Sequence, residues 1–71
     1  MTTMTAGDGN EVTVGTVVID EKTGDQGIIR GISGPADARV AEVEFPGSQY
    51  DYIDAADLNV SAEQDWEPEE H

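Results

Sequence analysis

Apolar positions fall into short runs separated by polar turns, and the first two runs organise the others. Val14-Gly15-Thr16-Val17-Val18-Ile19 and Ile28-Ile29-Arg30-Gly31-Ile32 flank a polar stretch from Asp20 to Gly27. Val, Ile and Thr are stiff at χ1 and suit a pleated surface, so both runs predict strands. Thr23-Gly24-Asp25 and Gly27 offer the positive-φ freedom that reverses a chain. Gly31, in mid-run, predicts a bulge or sharp bend. The first strand opens at Val12-Thr13-Val14, and period-2 alternation puts Val12, Val14 and Val18 on one face. Val17 and Ile19 face the other way, so both faces of this strand are expected to be partly covered.

The same reading continues downstream. A second strand spans about 27–33, and Ser33-Gly34-Pro35-Ala36-Asp37 is a turn by its chemistry. Ala38 to Phe45 has the cleanest alternation: Ala41, Val43 and Phe45 inward, Glu42 and Glu44 toward water. Pro46-Gly47 suits the centre of a type II turn. Gln49 to Ile53 forms a fourth strand, Asp54-Ala55-Ala56-Asp57 one helical turn, and Leu58-Asn59-Val60 a fifth strand. Nowhere does a long 3.6-residue period appear. The pattern predicts an all-β domain, a single small antiparallel barrel of about five strands. Its expected core is Val14, Val18, Ile29, Ile32, Val43, Phe45 and Leu58.

Both ends read differently from the middle. Residues 1–11 lack periodicity and are expected to be a mobile lead-in to a barrel over 12–60. Residues 61–71 contain five carboxylates and no Lys or Arg, so self-repulsion predicts a flexible acidic tail. Trp66 stands out in that tail. Its ring either folds back over the open end of the chain's own barrel or inserts into a partner's pocket while the carboxylates meet a basic rim.

Seventy-one residues allow one domain. The absence of cysteine removes disulfides and thiolate zinc sites and fits a cytoplasmic protein. No run approaches the roughly 20 apolar residues of a membrane helix, and the N-terminus lacks the marks of a signal peptide. Charge changes the picture most: 16 acidic residues against 3 basic ones, net −13. Phosphate backbones are bound through Lys and Arg, and only Lys22, Arg30 and Arg39 exist, so direct nucleic-acid binding is not expected. Three explanations of the acidity stand, in this order: a surface adapted to a salt-loving organism, docking onto a basic protein, and mimicry of nucleic-acid phosphates.

Gly15-Thr16-Val17-Val18 followed by Thr23-Gly24-Asp25-Gln26-Gly27-Ile28-Ile29-Arg30-Gly31-Ile32 resembles the first hairpin of the small SH3-like barrels. That group includes Tudor, chromatin-associated and KOW-type domains. Val43-Glu44-Phe45, a short turn, Tyr52-Ile53 and Ala56-Asp57-Leu58 resemble its closing half. The resemblance implies a binding module rather than an enzyme. It also implies that aromatics near the third hairpin, here Phe45, Tyr50 and Tyr52, can cage a methylated cation. RNA- and ribosome-binding KOW members are basic, and this chain departs from them in being acidic.

Catalytic chemistry finds little material. The single His is His71, at the chain end, and no nucleophile elbow, P-loop or His-rich metal motif occurs. Asp20, Glu21 and Asp25 could hold a hard cation, but Lys22 sits among them and the spacing matches no calcium loop. No enzyme activity, cofactor or metal is expected. Phe45 is claimed by the core, and alternation puts Tyr50 and Tyr52 on one face without a third wall. A partly exposed tyrosine pair suits a protein contact, because Tyr is enriched at interfaces. The expected partner-binding residues are Tyr50, Tyr52, Trp66, Glu42, Glu44 and Asp51. The expected function is non-catalytic protein–protein interaction, with an acidic nucleic-acid mimic as the rival.

Overall fold

The computed structural model describes residues 2–68, and His71 falls outside them. Seven strands follow in chain order: β1 Thr3–Thr5, β2 Glu11–Thr13, β3 Val17–Asp20, β4 Gln26–Ser33, β5 Val40–Phe45, β6 Gln49–Asp54 and β7 Leu58–Val60. A 3₁₀ turn over Ala55–Asp57 precedes β7, where one helical turn was expected. The domain is all-β, and every strand pair is antiparallel. β1 and β2 form a separate ribbon, while the other strands make a sheet in the order β6-β5-β4-β3-β7. Its edges, β6 and β7, are not paired with each other, so the sheet curls without the hydrogen-bonded closure of a full barrel.

The first expected strand is divided in two. Gly15 at φ +97° turns the chain, and the Thr16 N–H donates to the Thr13 carbonyl at 3.1 Å across that turn. Val14 therefore lies in a turn, 53% exposed, and not in the core. The N-terminal residues take the place left for it. Met4 pairs with Val12 in register, and both are buried with Ala6. A three-residue Thr-Met-Thr strand carries too few side chains to show a period, which is why this segment reads as a lead-in.

Around Val18, Ile29, Ala41, Val43, Ile53 and Leu58 the core is continuous with Met4, Ala6 and Val12. Ile32 and Phe45, expected inside, pack against this cluster from partly buried positions. The bulge forms as expected: register shifts between Ile29 opposite Val43 and Gly31 opposite Glu42. Arg30 is the extra residue, and the shift returns Ile32 to the core face. Gly24 does turn the chain at φ +79°, but Gly27 serves space, not φ. A Cβ there would lie 2.5 Å from Val43 Cγ1 and 2.8 Å from the Glu44 carbonyl oxygen.

The reverse face of the sheet is also partly dry. Val17 lies opposite Ile28 and Ile28 opposite Glu44, so all three share that face, and all are buried. Glu44 was expected in water and is only 3% exposed. Arg30 Nε donates to Glu44 Oε1 at 2.7 Å, which makes burial of the carboxylate tolerable. Alternation placed Glu44 on the correct face, but it could not show that the face is covered.

Candidate functional site

Two loops at one end of the sheet bound a groove. The β3–β4 loop is folded on Asp20, whose Oδ1 accepts the Lys22 N–H at 3.0 Å and whose carbonyl accepts the Gly24 N–H at 2.7 Å. Asp20 is buried as it makes these bonds. The facing wall is the β5–β6 hairpin, from Phe45 through Pro46 to Asp51. Between them lies a groove of about 410 Å³. Asp20, Asp25 and Asp51 give it negative charge, while Phe45, Tyr50 and Trp66 give it aromatic surface. Among the described residues that line it there is no Lys or Arg.

A smaller hollow of about 190 Å³ shares Asp20 and Asp51 and adds Tyr52, Asp54, Asp57 and Lys22. Lys22 Nζ lies 3.3 Å from Asp57 Oδ2, so its charge is already directed to one carboxylate. The potential across both hollows is therefore negative, and the low-dielectric aromatic wall strengthens it. Asp51 Oδ1 also accepts the Tyr52 N–H at 3.0 Å. That bond occupies a main-chain donor on the β6 edge and places a charge there, a guard against edge-to-edge pairing.

Trp66 reaches the groove because the chain after β7 folds back. Gln64 Oε1 accepts the Val17 N–H at 3.0 Å, and Gln64 Nε2 donates to the Val17 carbonyl at 2.9 Å. Ser61 Oγ donates to Gln26 Oε1 at 2.7 Å. Trp66 is partly buried and lines the groove beside Phe45 and Tyr50. The hydrogen bond to Glu44 and the attraction of its charge, with a smaller part from Glu67, hold the Arg30 guanidinium above its ordinary pKa.

The six expected partner-binding residues divide into three groups. Tyr50, Asp51 and Trp66 meet at the groove, and Trp66 with Phe45 supplies the walls that the tyrosines lacked. Tyr52 and Glu42 meet on the reverse face, where Tyr52 Oη donates to Glu42 Oε2 at 3.2 Å and the carboxylate raises the phenol pKa. Glu44 is withdrawn from any partner by burial against Arg30. Missing from that set were Asp20, Asp25 and Gln64. Asp20 and Asp25 carried a visible signal, since they flank the first turn, but their meeting with Asp51 depends on the sheet's curl. Among the described residues no cluster of acidic or His side chains is arranged to hold a metal ion.

Comparison of the chain with family models, curated proteins and solved structures finds no match.

Proposed function

We propose that this chain is a non-catalytic protein-binding module that takes a basic segment of a partner protein in the groove between the β3–β4 loop and the β5–β6 hairpin. The observation that carries the reading is the groove's lining: three aspartates and three aromatic rings with no cation among them. An Arg or Lys side chain suits both halves, its charge toward the carboxylates and its stem or guanidinium on the rings. The five-stranded order, with β7 beside β3, is compatible with an SH3-like domain, and we read the fold as one. The lack of cysteine fits a cytoplasmic module. Carboxylates elsewhere on the surface serve solvation at high salt.

Calorimetric titration with a short peptide rich in Arg and Lys tests this. Binding is expected to weaken with added salt, and to weaken further in Asp51→Asn and Tyr50→Ala. Glu21→Gln, an exposed carboxylate outside the groove, is expected to leave it nearly unchanged. Equal weakening by all charge variants would mean diffuse attraction and no site. Tight capture of a DNA- or RNA-binding protein through its nucleic-acid surface would favour the mimic instead.

A further inference from the structure

The ladder between β3 and β7 ends at Val18 opposite Val60. One residue earlier, Val17 lies opposite Ile28, and the flanking Ile29 N–H donates to the Thr16 carbonyl at 3.0 Å. In an antiparallel pair of this kind the polar groups of Val17 point away from β4. They face the side where β7 has just ended. Val17 is fully buried, so water cannot satisfy its N–H. The Ser61 N–H reaches the Val17 carbonyl at 3.0 Å, but among the described residues no main-chain carbonyl comes to the Val17 N–H. Gln64 supplies that acceptor, and its amide donates back to the Val17 carbonyl and to the Ser61 carbonyl at 2.6 Å. A carboxamide carries the same donor and acceptor as a peptide group, so one side chain acts as a further residue of the strand.

We propose that Gln64 is a positioning residue, a latch that prolongs the sheet past β7 and thereby sets Trp66 as a wall of the cation-binding groove. Trp66 is two residues beyond the latch and lines the groove with Tyr50 and Phe45. Between them stands only Asp65, which is exposed, so Gln64 is the nearest hydrogen-bonded anchor on the chain leading to the ring. Ser61 anchors the segment at its other end, through Gln26 Oε1 and the Val17 carbonyl, but three residues further from Trp66 than Gln64 is. The site is therefore completed by a segment that is not part of any strand. Its role in binding rests on the functional reading above; its role in placing Trp66 does not.

The chain's single Trp makes the test specific. In Gln64→Ala, Trp66 emission is expected to shift red and acrylamide quenching to rise several-fold, while far-UV circular dichroism keeps the strand signal. Gln64→Glu keeps the shape and the acceptor but loses both amide donations, so its emission is expected between parent and Gln64→Ala. The same order is expected in affinity for an Arg- and Lys-rich peptide, parent tightest. If Gln64→Ala unfolds, Gln64→Glu and the parent still provide the comparison. Unchanged emission in a folded variant overturns the latch. Ordered emission with no peptide binding by the parent leaves the latch standing and removes the functional reading.

Discussion

The two ends of this chain both looked loose, and the structure attaches them by different forces. The N-terminal residues are held mostly through apolar burial, Met4 and Ala6 joining Val12 in the main cluster, with the Gly7 N–H donating to the Leu58 carbonyl at 2.7 Å. The C-terminal segment is held mostly through polar contacts, Gln64 on Val17 and Ser61 on Gln26, with one partly buried ring beyond them. Hydrophobic burial is non-directional and tolerates small adjustments, whereas an amide latch depends on geometry. The first end therefore belongs to the fold. The second is suited to a site whose wall must be placed without being welded in.

Met4→Ala should give the largest effect, a loss of about 2–4 kcal/mol measured by chemical denaturation. That is a large part of the stability of a domain this small. A loss comparable to that of an exposed residue would show that the β1–β2 ribbon is only attached to the core and not part of it. Gln64→Ala should cost less, about 1–3 kcal/mol, mainly from the stranded Val17 N–H. If it costs more than Met4→Ala, the contrast between the ends is reversed.

Salt should act more gently and in the same direction at both ends. Residues 12–60 carry a net charge of −6 and the ends supply the rest of −13. Screening over roughly 10 Å at 0.1 M salt relieves that repulsion, so the thermal midpoint should rise as salt is added. A flat midpoint would mean that the carboxylates are paired.

The smallest effect concerns a side-chain polar tie at the N-terminal end. Asp8 Oδ2 accepts the Val60 N–H at 3.0 Å, and this bond, ahead of one from the Asn10 N–H, lowers its pKa below 3.8. A carboxyl depressed on folding stabilises above its unfolded pKa, and that contribution fades as pH falls through the lower folded value. Asp8→Asn should thus narrow its difference from the parent as pH drops below about 3.8. A difference that stays constant down to lower pH would contradict the assignment.

Much of the sheet was legible because short-range rules decide it. Gly24 turns the chain, the bulge forms at Arg30 beside Gly31, and Val43 and Leu58 fall inside where alternation puts them. Val14 was misplaced because Gly15 breaks the strand, so the period does not carry across it. Met4 escaped notice because a three-residue ribbon gains its meaning only from Val12. Glu44 and Gln64 depend on what covers the reverse face and where β7 stops, both products of tertiary structure. The same holds for the groove: Asp25 and Asp51 are 26 positions apart in sequence and meet only when the two hairpins curl together.

The most direct test of the groove as a cation site is a map of backbone amide shifts by NMR on titrating an Arg- and Lys-rich peptide. The account predicts saturable changes concentrated in 20–26, in 45–51 and at the Trp66 indole, with β2 and the Glu42 region quiet. Shifts spread evenly over the surface carboxylates, or confined to Glu42 and Tyr52, would contradict it.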